Sequence, residues 1–91
     1  MKLEEYREKI DAVDEKLVAL FAERMELSRA IAEYKKENGL PVLDASREKE
    51  KLKSTAEQSP AELREYTRRL YALLFELSRD YQRELIGKER G

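Results

Sequence analysis

Cysteine and histidine are both absent from this 91-residue chain. Without cysteine there is neither a disulfide framework nor a thiolate metal site. Without histidine, the commonest general base near neutral pH and the commonest zinc ligand are missing. Any metal would need oxygen ligands alone, and none is expected. Charge of one sign is lacking too: 19 basic residues face 20 acidic ones, for a net charge near −1. A nucleic-acid binder usually shows a clear basic excess. The longest apolar run is too short to cross a bilayer, and Met1-Lys2-Leu3-Glu4-Glu5 has no apolar signal core. The expectation is a cytoplasmic protein that engages neither nucleic acid nor membrane. The length suits one domain, 1–91, which as a monomer would bury only ~60–65% of the surface its unfolded chain exposes.

Glycine and proline are scarce as well, 3 and 2 residues, and they cluster at breaks between long stretches rich in Ala, Glu, Lys, Leu and Arg. That composition predicts an all-α chain. The first helix is expected over about 3–37. Its apolar residues Leu3, Tyr6, Ile10, Val13, Leu17, Leu20, Leu27, Ile31 and Tyr34 follow an alternating three-four spacing, the period of a helix packed along one seam. Asn38-Gly39 supplies the stop, with Lys35 and Lys36 in the last turn. After the extended connector Leu40-Pro41-Val42-Leu43, Asp44 is a good N-cap for a second helix over about 45–57. Ser59 then caps a third, about 60–86, with Pro60 at its first position and Glu62 closing a capping box. Leu63, Tyr66, Leu70, Leu73, Leu74, Leu77, Tyr81 and Leu85 are its expected buried stripe. A ~35-residue helix is ~50 Å long, whereas a compact monomer of this length has a radius of gyration of only ~12 Å. The long seam therefore predicts a homodimer in which two long helices pair and the shorter ones pack around them.

Several polar residues are out of place in this scheme. Arg24 is the one seam position of the first helix that is not apolar, and a buried arginine is costly without an anionic partner. Lys35 lies 11 residues on, about three full turns, so it shares that face ~16 Å away. Ser78 and Gln82 share a face of the third helix with Tyr71 and Phe75. Arg47 and Glu48 occupy the first turn after Asp44. Each has a bland role when taken singly. Arg24 could snorkel to water, Lys35 and Glu48 could answer helix dipoles, and Arg7 could pair with Asp11 one turn on. Arg47 and Gln82 could be surface residues, and Ser78 could bond back to a carbonyl. The joint pattern carries more than any one of them.

The run Arg7-Glu8-Lys9-Ile10-Asp11-Ala12-Val13-Asp14-Glu15-Lys16-Leu17, followed by Leu20-Phe21-Ala22-Glu23-Arg24, resembles the opening of the helical class of chorismate mutases. The similarity continues through Ile31-Ala32-Glu33-Tyr34-Lys35 and Pro41-Val42-Leu43-Asp44-Ala45-Ser46-Arg47-Glu48. It closes with Phe75-Glu76-Leu77-Ser78-Arg79-Asp80-Tyr81-Gln82. The resemblance implies an intertwined homodimer of three-helix chains that converts chorismate to prephenate without metal or cofactor. It implies that Arg24 and the partner's Arg7 clamp the two carboxylates of chorismate. Lys35 would reach a carboxylate and the ether oxygen, and Gln82 would donate to that same oxygen. Glu48, with the backbone of Asp44, would hold the ring hydroxyl, while Ser78 and Arg47 complete the lining. Such domains also occur fused to prephenate dehydratase or dehydrogenase, so the Gly87-Lys88-Glu89-Arg90-Gly91 end could be a linker stub. Two positions depart from the family pattern: Lys51 stands where an aliphatic residue is usual, and Arg79 is more polar than expected. The alternatives are an isochorismate-pyruvate lyase with a similar cationic pocket and a non-catalytic helical dimerisation or regulatory module.

The chemistry suits this residue set. An intramolecular [3,3] rearrangement needs no nucleophile, base or cofactor. It is helped by holding a dianion in its compact reactive conformer and by donors placed where charge grows as the C–O bond breaks. Arginine suits the clamp because its fork pairs bidentately with a carboxylate. Arg7 lies ~25 Å along the helix from Arg24. An antiparallel partner helix could bring it to the pocket; its own chain could not.

Overall fold

The computed structural model describes the backbone of residues 2–90 and the side chains of residues 2–87. The chain is all-α: α1 (Lys2–Glu37), α2 (Ala45–Gln58), a short 3-10 turn (Ala61–Leu63) and α3 (Arg64–Arg90). Helix α3 packs against both α1 and α2. Among the described residues no helix is long and apolar enough to cross a membrane.

The first break is built as expected. Gly39 adopts φ +63°, a left-handed conformation that residues with a Cβ rarely take. Leu40 N–H reaches back to Lys35 C=O at 2.8 Å and Gly39 N–H to Lys36 C=O at 3.3 Å. This Schellman arrangement satisfies the carbonyls left over at the helix end. Helix α2 starts at the Asp44 cap, whose Oδ1 accepts from the Arg47 N–H at 3.0 Å.

The second break differs from expectation. No capping box forms at Ser59. Its hydroxyl lies within hydrogen-bond distance of Thr55 C=O, at 3.2 Å, and of Thr67 Oγ1, at 2.6 Å, which ties the end of α2 to the start of α3. Pro60 leads into the 3-10 turn, closed by Leu63 N–H to Pro60 C=O at 2.8 Å, and the α-helix proper begins only at Arg64. A Ser-Pro-x-Glu pattern at a helix start does not distinguish a 3-10 first turn from an α turn, since both leave the same N–H groups open. Helix α3 also continues past Gly87 to Arg90. Four of the five residues read as a linker stub are thus helical in backbone, and Gly91 lies outside the described residues.

Helix α1 sets the shape. Thirty-six residues at 1.5 Å each give ~54 Å, and the longest extent of the chain is 55 Å. The radius of gyration is 16.5 Å, against ~12 Å for a compact chain of this length. The apolar seam of α1 remains uncovered, with exposures running from 48% at Ile31 to 62% at Tyr34. The expected apolar stripe of α3 is corrected in the same way. Leu63, Tyr66, Leu70, Leu73 and Leu77 are exposed. Leu74, Tyr81 and Leu85 are only half-buried. The face that α3 turns inward is instead Phe75, Ser78 and Gln82, because only α2 and the last third of α1 are there to cover it.

Candidate active site

Where α1, α2 and α3 meet lies a pocket of about 380 Å³. Helix α1 contributes Arg24, Leu27, Ser28, Ile31 and Lys35, a three-four series along one face. The connector and the first turns of α2 bring Val42, Asp44, Arg47, Glu48 and Lys51. Helix α3 closes it with Phe75, Ser78, Arg79 and Gln82, again one face. The lining holds five cations against two carboxylates, so the pocket favours an anion.

Arg24 is half-buried and leans over two rings of α3, 5.5 Å from the Phe75 centroid and 6.0 Å from that of Tyr71. The rings themselves meet edge to face, 6.1 Å apart at 64°. A guanidinium over aromatic faces is stabilised by the ring quadrupoles. A charge is thus accommodated in the apolar seam with its guanidinium over aromatic faces at the edge of the pocket.

Lys35 is tied down on both sides. Its Nζ donates to Val42 C=O at 2.5 Å and to Gln82 Oε1 at 3.4 Å. The tight turn at Gly39 makes the first of these possible, because it folds the connector back over the end of α1. Gln82 in turn donates from Nε2 to Ser78 Oγ at 3.1 Å, and Ser78 Oγ lies 2.7 Å from Ser28 Oγ. Ser28, Ser78 and Gln82 are all buried, at 4, 9 and 5% exposure. The amide of Gln82 is therefore oriented by contacts at both ends, with the second N–H of Nε2 left over. Buried polar chains of this kind are rigid when every member is satisfied, and among the described residues no buried side-chain polar atom lacks a partner.

At the opposite wall, Arg79 Nη1 donates to Glu48 Oε1. Asp44 is engaged differently. Its carboxylate caps α2 and its carbonyl accepts from Glu48 N–H at 3.1 Å, so its own N–H is not used by the cap.

A family model for chorismate mutase type II matches residues 6–83. The chain belongs to this family of chorismate mutases. A chorismate mutase of Methanocaldococcus jannaschii is 48% identical to it over 48 residues, 53% of this chain and 48% of that protein. The matched stretch thus spans about half the length of that relative.

Of the eight site residues predicted from sequence for this chain, seven line the one pocket: Arg24, Lys35, Asp44, Arg47, Glu48, Ser78 and Gln82. Arg7 does not. It is exposed near the start of α1, and its guanidinium pairs with Glu4 at 3.2 Å, not with Asp11. Such an exposed pair one turn apart contributes only on the order of 0.3 kcal/mol, so Arg7 is easily drawn elsewhere. Sequence reasoning missed Ser28. A lone serine on a helix gives no signal by itself, but its spacing does: Ser28 lies four residues after Arg24 and seven before Lys35, on the pocket face. Lys51 and Arg79, singled out as departures from the family pattern, both face the pocket.

Proposed function

We propose that this chain is a chorismate mutase that rearranges chorismate to prephenate, and that it works as an intertwined homodimer with two equivalent sites. One observation carries the reading. Residues scattered from position 24 to position 82 converge on one pocket with an excess of cations, and none of them is a histidine or cysteine nucleophile. Binding and orienting an anion is what such a site can do.

The reaction breaks the ether C–O bond as a C–C bond forms within the same molecule, so no group enters or leaves. Arg24 and the partner's Arg7 hold the two carboxylates, and that grip keeps the two reacting carbons close. Lys35 reaches a carboxylate and the ether oxygen. The free N–H of Gln82 donates to the same oxygen, where negative charge builds in the transition state. Glu48 and the Asp44 N–H hold the ring hydroxyl, and Ser78 and Arg47 complete the polar lining. Preorganisation supports these roles: Gln82 and Lys35 are already braced by Ser78 and Val42, so they need not reorganise as charge develops.

The uncovered seam and the position of Arg7 support the homodimer. On the ~25 Å separation along α1, Arg7 cannot serve the pocket of its own chain, whereas a second, antiparallel α1 would bring it there. The same pairing would cover Leu3 through Tyr34 on the seam. A cytoplasmic place in phenylalanine and tyrosine biosynthesis is the corresponding cellular reading.

The deciding experiment follows loss of chorismate absorbance with and without protein and identifies the product. Prephenate is expected. Salicylate and pyruvate from isochorismate, with no prephenate from chorismate, would make the chain a lyase. No turnover and no binding of chorismate would leave a non-catalytic helical module.

A further inference from the structure

Glu48 poses a problem that the reading above leaves open. A carboxylate that faces a dianionic substrate repels it, and the other acidic side chain of the lining, Asp44, is already committed to capping α2. Glu48 is different, since on that reading it accepts a hydrogen bond from the ligand's ring hydroxyl. Its side chain and that of Arg79 are only 22% and 24% exposed. Arg79 Nη1 bonds to Glu48 Oε1 across 31 residues of sequence, joining α3 to the first turn of α2. Arg79 sits directly after Ser78 and three residues before Gln82 on a pocket-facing stretch of α3. The bond to Arg79 is made through Oε1 of Glu48.

We propose that Arg79 is a positioning residue for the reaction, acting through Glu48. It cancels the charge of that carboxylate toward the incoming dianion. It also locks one oxygen, so that the other is presented to the ring hydroxyl. A glutamate has three side-chain torsions and, unheld, would face the substrate in many rotamers. A charge-assisted bond to a guanidinium selects one of them, and partial burial shields the pair from salt. The proposal rests on the mutase reading, since the ring hydroxyl belongs to that substrate. It gives a function to a residue more polar than the sequence resemblance leads us to expect at that position.

The test is a double-mutant cycle on chorismate turnover with Arg79→Met, Glu48→Gln and the double variant, each checked for wild-type helicity and sedimentation. If Arg79 acts through Glu48, Arg79→Met costs about tenfold in kcat/KM in the wild-type background and under twofold in the Glu48→Gln background. The tenfold loss should fall mainly on KM, because the hydroxyl is held alike in ground and transition states. Arg79→Lys keeps the charge and should recover most of the activity. Equal losses in both backgrounds, in a protein that still makes prephenate, would overturn the proposal and leave the mutase reading standing. A wild-type chain that makes no prephenate would overturn both. Should Arg79→Met lose helicity, Arg79→Gln runs the same cycle with the same two outcomes.

Discussion

From residue 2 to residue 23, every side chain of α1 is exposed. Further along the same helix, Arg24 and Lys35 are half-buried and Ser28 and Ala32 are buried. The two stretches have the same seam period and similar composition, so helix propensity does not separate them. What separates them is cover: α2 and α3 reach only the second stretch. Where the three helices meet, four of the seven buried residues among those described are polar, namely Ser28, Thr55, Ser78 and Gln82, against Ala32, Ala56 and Phe75. The covered region is thus organised around a pocket, with little apolar core, while the uncovered stretch carries a continuous exposed apolar seam and α3 leaves a second apolar stripe exposed. A single chain places its candidate site in the covered region and leaves apolar surface exposed along α1 and on the outer side of α3. A second copy would join them.

The largest effect is expected from breaking the uncovered stretch. Leu17→Asp puts an unpaired charge in the middle of the seam and should abolish both association and folding, since burying such a charge costs several kcal/mol. Circular dichroism and sedimentation at micromolar concentration should show a loss of helix and of dimer, with no measurable turnover. A wild-type chain that sediments as a stable folded monomer would break the comparison itself.

Next in size is the link between the two stretches. Arg7→Ala in the uncovered region and Lys35→Ala in the pocket should each cost on the order of 100-fold or more in kcat/KM. Mixed after subunit exchange, the two variants should recover about a quarter of wild-type activity. Random pairing makes half the dimers mixed, and each mixed dimer has one intact site of two. Exchange without recovery would mean that Arg7 and Lys35 do not meet across chains.

Within the pocket, Gln82→Glu sharpens the role assigned to the oriented amide. An amide donates at any ordinary pH, and the chain has no histidine, the side chain whose ordinary pKa lies between pH 5 and 8. The wild-type rate should be nearly flat over that window. The variant donates only while its carboxyl is protonated, and as a carboxylate it repels the developing charge. Its activity should therefore fall as pH rises, by about 100-fold between the protonated and ionised forms. Equal activity at pH 5 and pH 8 would remove Gln82 as the ether-oxygen donor.

The smallest effect is expected at Ser28, which touches Ser78 and not the ligand in this scheme. Ser28→Ala removes one buried neutral hydrogen bond, worth about 1 kcal/mol, and should lower kcat about fivefold with helicity and dimer intact. An unchanged kcat would show that Gln82 is oriented without it.

Much of this was legible in the sequence by itself. The seam spacing of α1, the stop at Asn38-Gly39, the Asp44 cap and the shared face of Tyr71, Phe75, Ser78 and Gln82 all follow from local rules. Helical period and end chemistry act over a few residues. The pocket face could be read too, because a costly arginine in a seam and a lysine three turns on mark the same side of a rigid rod.

Tertiary structure decided the rest, because it depends on which surfaces meet. The 3-10 turn before α3 arises where Ser59 finds Thr55 and Thr67 instead of capping its own helix. The pairing of Arg79 with Glu48 spans 31 residues, and no spacing rule connects positions so far apart. The hydrogen-bonded row from Ser28 through Ser78 and Gln82 to Lys35 likewise needs α1 and α3 side by side. Short-range order is written in periodicity and caps, but side-chain partners between helices exist only once the helices have packed.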